Sequence, residues 1–238
     1  MMLLAWIAAQ ALAPAEQACL AQARRDPAAA EQVARGAIGA SPRLRQCLGL
    51  ALVGQDRFSE AAVVFAEAAR AAELAKDAAA ADFWAQSGNA WLAAGDATKA
   101  RQALDAALAA GTLTDLQRGE AYLDRARALV AVGDAKAART DLDQALVSAG
   151  DDPLAWLLSA TLARRQGDLT RARADIAQAL RRSADDASVQ LEAGNIAAQS
   201  GDATKAAAAW REAVRLAPDA PAGRSAANAL KQFPEATQ

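Results

Sequence analysis

The sequence predicts an all-α fold, a solenoid of antiparallel two-helix units, on three observations. The phrase Gly-Asp recurs at Gly95-Asp96, Gly133-Asp134, Gly167-Asp168 and Gly201-Asp202, so successive glycines stand 38, 34 and 34 residues apart. A period near 34 residues that holds two helical stretches belongs to stacked repeats, not to a single globular core. Each Gly closes an apolar-periodic stretch where φ > 0 is needed, and each Asp can accept hydrogen bonds from the free N–H groups that follow, so the phrase reads helix, turn, helix. Hydrophobic residues make up 53% and are largely Ala, while aromatics are only 4%, a balance that favours closely packed helices over strands.

Composition also removes functions. The net charge of −2 comes from interspersed acids and bases, which leaves no footprint for nucleic acid or an anionic membrane. The absence of His takes away the commonest general base and the commonest metal ligand. Acidic pairs such as Asp151-Asp152 and Asp185-Asp186 sit at helix starts, where capping explains them. Each Gly-Asp turn sets a carboxylate where a bound phosphate would have to lie. Trp84, Trp91, Trp156 and Trp210 are expected to pack against neighbouring helices. No enzyme activity, catalytic residue, cofactor or metal site is expected.

In chain order, residues 1–15 read as a signal segment. The apolar centre runs from Leu3 to Ala9, Ala13 and Ala15 form an A-x-A site, and cleavage is expected before Glu16. No Lys or Arg precedes the run, and it is shorter than the ~20 residues of a membrane span. An apolar first helix or an uncleaved anchor is the alternative. Residues 16–42 form a degenerate helical unit, interrupted by Asp26-Pro27 and by Gly36, Gly39 and Ser41-Pro42. Cys19 and Cys47 are either buried free thiols or, in an exported protein with no cysteine left over, a disulfide. Closing that loop would lower unfolded-state entropy by about 3 kcal/mol.

Residues 43–218 hold five helix pairs, and 219–238 a capping helix and frayed tail. Asp56 takes the Gly place in the first pair. The surplus before Gly95 falls in 71–81, an Ala-rich run expected to lengthen a helix by a turn. Thr114 with Gln117 makes a capping box, and Asp152-Pro153 another start. The units carry Leu48-Gly49, Leu52, Ala61 and Phe65; Trp84, Gly88, Trp91, Ala100 and Leu104; Tyr122, Ala126, Leu129, Ala138 and Leu142; Trp156, Ala160, Ala163, Ala172 and Ile176; and Gly194, Ala197, Ala206, Trp210 and Pro218. This pattern resembles the tetratricopeptide repeat family. The resemblance implies a right-handed superhelix of helix pairs A and B, with a concave face that takes peptides. Gln190, where an early aromatic belongs, departs from the pattern.

Counting from the small residue of each helix A, the groove face is expected to include Asn89 and Leu92; Leu123, Arg127 and Val130; Leu157, Thr161 and Arg164; and Leu191 and Asn195, with Leu154 and Leu158 beside them. A mainly apolar face with Arg127 and Arg164 suits an amphipathic helix or an extended apolar segment; a solvated or self-filled groove is the alternative. The clamp that some relatives use for a C-terminal carboxylate is disfavoured. Its positions read Ala85, Asn89, Asp124, Leu154 and Leu158 here. The expected function is a non-enzymatic scaffold, exported and periplasmic, that binds a protein or peptide in envelope assembly or maintenance. The alternative is a cytoplasmic adaptor or co-chaperone-like module with reduced cysteines.

Overall fold

The computed structural model describes residues 13–37, 39 and 41–233; the apolar run of the expected signal segment and the expected frayed tail at 234–238 lie outside them. Thirteen α-helices and no strand occur among the described residues. They fall into two compact bodies that divide after Leu113. The first holds α1 (Pro14–Ala23), α2 (Pro27–Ala37), α3 (Pro42–Val53), α4 (Phe58–Leu74), α5 (Ala80–Ala93) and α6 (Ala97–Ala109). The second holds α7 (Asp115–Ala131), α8 (Ala135–Ser148), α9 (Pro153–Arg165), α10 (Leu169–Arg182), α11 (Ala187–Gln199), α12 (Ala203–Leu216) and α13 (Pro221–Gln232). Within the second body α7 pairs with α8, α9 with α10 and α11 with α12, and α13 closes the stack on α11 and α12.

The turns follow from their two residues. Gly95, Gly133, Gly167 and Gly201 stand at φ +80°, +87°, +81° and +81°, which is open to glycine without a Cβ penalty. The N–H of the next Asp reaches back to the carbonyl five residues earlier, as Asp96 does to Trp91 and Asp202 to Ala197, each at 2.9 Å. This Schellman closure satisfies the last carbonyls of the helix. The same Asp then accepts the N–H of the third residue of the next helix at 3.0 Å: Asp96 from Lys99, Asp134 from Ala137, Asp168 from Arg171 and Asp202 from Lys205.

The first helix pair uses the turn with different residues. Asp56 occupies the glycine place at φ +58°, and Arg57 stands where the capping Asp would be. Its guanidinium instead bridges Glu31 of α2 and Glu60 of α4, at 2.8 and 2.7 Å. The Ala-rich run at 71–81 does not stay helical throughout. It lengthens α4 to 17 residues and then breaks at Lys76, which takes φ +53° before α5 begins. Thr114 accepts from the Gln117 N–H, Asp152 from the Leu154 N–H and Ser41 from the Leu44 N–H, so these three starts are side-chain capped.

Packing inside each pair repeats one device. A small residue on helix A opens a hole, and a bulky residue sixteen positions later on helix B fills it: Gly49 and Phe65, Gly88 and Leu104, Ala126 and Leu142, Ala160 and Ile176, Gly194 and Trp210. A Cβ on Gly49 would lie 2.5 Å from Phe65, on Gly88 2.5 Å from Leu104, and on Gly194 2.4 Å from Trp210. The backbones therefore approach closely only because the hole is empty. In the first body Cys19 of α1 lies against Cys47 of α3 as a disulfide pair with Cα atoms 5.9 Å apart, both fully buried beside Ala23, Ala51 and Leu48.

Candidate functional site

The second body carries an apolar pocket where α7, α8 and α9 meet. Leu142 and Leu162 are buried at its floor, Val130, Leu158 and Thr161 are half-buried on its walls, and Arg127 and Arg165 stand exposed at its rim. Its volume is about 170 Å³. That is below the ~300–1,000 Å³ of small-molecule and cofactor sites, and suits a single apolar side chain.

The helix periodicity explains which residues meet there. Arg127 and Val130 lie three apart on α7, and Leu158, Thr161 and Arg165 share one stripe of α9. Leu154 extends that stripe one turn earlier and is exposed. The Thr161 hydroxyl donates to the Leu157 carbonyl at 2.8 Å and so is already satisfied. Arg127 holds Asp124 at 2.9 Å in an exposed pair, which contributes little and exchanges readily. Arg165 is exposed and has no carboxylate partner among the described residues.

Other residues expected on the groove are placed elsewhere. Leu123 is 4% exposed and belongs to the core of α7 and α8, because helix B covers that side of α7. Arg164 is committed to buried Glu192 of α11 at 2.6 Å, so its charge is internally neutralised. Asn195 accepts from the indole N–H of Trp210 and donates to Glu192, at 3.1 and 3.2 Å, which makes it part of the α11–α12 packing. Leu157 packs against the core cluster that contains Ala160 and Ile196, and Leu191 against the one that contains Trp210. Asn89 is exposed and Leu92 half-buried on α5 of the first body, separate from this pocket.

A polar cluster that the sequence reading missed links α7, α8, α9 and α10. Arg125 grips buried Asp141 with two N–H groups, at 2.7 and 2.8 Å. Buried Ser159 donates to buried Asp175 and accepts from Arg139 at 2.8 Å, while Arg171 donates to both Asp143 and Asp175. Burial, with the Arg171 charge beside it, pushes the Arg139 guanidinium below its ordinary range. The available signal was spacing. Arg125 and Asp141, like Ser159 and Asp175, are sixteen residues apart and each immediately precedes a hole or knob residue.

Of the tryptophans expected to pack in the core, Trp210 is buried at 2% exposure. Trp84, Trp91 and Trp156 are half-buried, with Arg70, Lys99 and Arg182 over their rings at 5.4, 4.3 and 5.1 Å. Among the described residues no cluster of three potential metal ligands occurs, and no helix is long and apolar enough to cross a membrane.

A tetratricopeptide repeat family profile matches residues 123–176 and 157–221, the stretch that contains the pocket. No significant match is found among curated proteins. Among solved structures the chain is similar to PilW, described as a widely conserved type IV pilus biogenesis factor, with TM-score 0.73 and 16% identity over 90% of this chain and 99% of that one. It is similar to PilF of Pseudomonas aeruginosa with TM-score 0.72 and 17% identity, covering 90% and 97% of the two chains. YrrB, described as a TPR protein with an unusual peptide-binding site, follows with TM-score 0.60 and 20% identity over 81% and 93%. At these identities the likeness is one of fold. The repeating hole and knob, the Gly-Asp turns and the profile match together identify residues 123–221 as tetratricopeptide repeats, and the structural neighbours share the fold of the chain, one suited to protein–protein interaction.

Proposed function

We propose that this chain is an exported, non-enzymatic scaffold that takes an apolar segment of a partner protein in the α7–α9 pocket. The observation that carries the reading is an apolar cavity of side-chain size beneath two exposed guanidiniums, one of which, Arg165, has no partner among the described residues. An apolar side chain of the partner fills the cavity and a neighbouring carboxylate pairs with Arg165 or displaces Asp124 from Arg127. Arg164, held in its pair with buried Glu192, takes no part.

Export rests on the apolar run before Ala13 and on the Cys19–Cys47 pair, which an oxidising compartment would keep closed. The expected cleavage before Glu16 falls in the first turn of α1 and retains Glu16, which accepts from the Ser41 hydroxyl at 2.6 Å. The fold likeness to PilW and PilF makes envelope assembly a reasonable setting. Two measurements test the proposal. Leu158→Asp with Arg165→Glu should abolish co-purification of crosslinked partner from the native host while the circular dichroism spectrum is kept. Partner retained at the wild-type level moves the site off this pocket. Intact mass and thiol counting on natively produced protein should give a chain starting at Glu16 with no free thiol; a chain starting at Met1 with two thiols overturns export.

A further inference from the structure

The first body has a cleft of about 290 Å³ between α4 and α6, floored by α5. We propose that it is a second binding site, for an acidic segment of a partner protein. The site lies in a different body from the α7–α9 pocket and goes beyond the function proposed for that pocket.

Two equivalent places in the chain differ in what surrounds their cation. Counted from the knob residues, α4 and α6 of the first body correspond to α8 and α10 of the second. Asp143 follows Leu142 and Asp175 precedes Ile176; the matching positions beside Phe65 and Leu104 are Ala66 and Ala103. Five residues before the knob, Arg171 of α10 corresponds to Lys99 of α6. In the second body the ligands of this cation come from within the chain: Arg171 is held by Asp143 of α8 and Asp175 of α10. In the first body the cation remains and both carboxylate positions are alanine. The space is open, and none of its lining residues is acidic.

What lines the cleft also suits a peptide. Lys99 lies 4.3 Å from the centre of the Trp91 ring and Arg70 lies 5.4 Å from that of Trp84, so each cation borders a half-buried aromatic surface. The carboxylate on Lys99 is that of Asp96, in an exposed pair three residues apart at 2.9 Å, which a ligand can replace at small cost. Glu73 is engaged by the Trp84 indole N–H at 2.7 Å. Arg70 has no carboxylate partner among the described residues. An acidic side chain of the partner would take the role that Asp143 and Asp175 have in the second body, with an adjacent apolar residue laid on the tryptophans.

The test uses the full chain and fluorescein-labelled 12-residue peptides made in matched pairs, identical in their Leu and Pro content but carrying Glu in one member and Gln in the other. Binding is read by anisotropy at low salt and by tryptophan emission. The expected result is a Glu peptide that binds about tenfold more tightly than its Gln match, a similar loss of affinity in Lys99→Glu, and closure of the cleft in Ala66→Asp. Lys99 and Arg70 are exposed, so Lys99→Glu and Arg70→Glu keep the test informative where Ala66→Asp unfolds. Glu and Gln peptides that bind alike, no binding by any pair, or unchanged affinity in Lys99→Glu and Arg70→Glu overturns the proposal. Leu158→Asp should leave this binding intact. Its loss in that variant assigns the peptide to the α7–α9 pocket and overturns the second site.

Discussion

At the scale of single residues, the hole positions carry the fold because nothing can be added to them. Gly194→Ala would set a methyl 2.4 Å from the Trp210 ring, so the indole must leave its place and its hydrogen bond to Asn195. Overpacking of this kind costs about 1–3 kcal/mol. The urea midpoint should fall accordingly, and an unchanged midpoint rules out this packing. Glu31 makes a different kind of prediction. The Gln55 amide first, with Arg35 and Arg57, holds its carboxyl down to about 2 from an ordinary value of 4.5. A carboxyl depressed in the folded state stabilises the protein above the ordinary value, and that stability is lost as pH falls from about 4.5 towards 2. Glu31→Gln should therefore lower Tm at pH 6 and narrow the gap from wild type as the pH approaches 2. Parallel Tm curves through that range count against the assignment.

At the scale of elements, helices are joined by buried charge where alanine alone would leave gaps. Asp141→Ala would take the two-pronged carboxylate from Arg125, whose side chain is only 22% exposed, and breaking a pair this buried costs about 3–5 kcal/mol. Replacing both partners, as in Arg125→Leu with Asp141→Leu, should cost far less, since it removes the half-buried charge together with the attraction. Denaturant unfolding of the single and double variants separates the two outcomes, and equal losses contradict the account. The turns between helices were legible in the sequence because Gly-Asp fixes backbone geometry with two adjacent residues. The α4–α5 turn was not: Lys76 has no glycine to announce its φ of +53°, and an Ala-rich run carries no signal of where it breaks.

At the scale of the molecule, each of the two bodies presents its own cleft, and in the first Cys19 of α1 pairs with Cys47 of α3. Replacing both cysteines by serine should cost about 3 kcal/mol in the first body, read as faster amide exchange in α1 and α2, with exchange in α9–α12 unchanged. Uniform loss of protection across both bodies contradicts a local role. The sequence by itself determined the all-α class, the helix-pair period and the helix starts, because these rest on turns, caps and spacings that neighbours in the chain settle between themselves. It also identified Arg127, Val130, Leu158 and Thr161 as one surface, since a helix face follows from periodicity. Tertiary structure alone decided that Leu123 is core, that Arg164 is neutralised by Glu192 twenty-eight residues away, and that Lys99 shares a cleft with Ala66 and Ala103 where Arg171 pairs with Asp143 and Asp175. Burial and charge pairing depend on which distant side chains share a space, and local spacing carries no record of that.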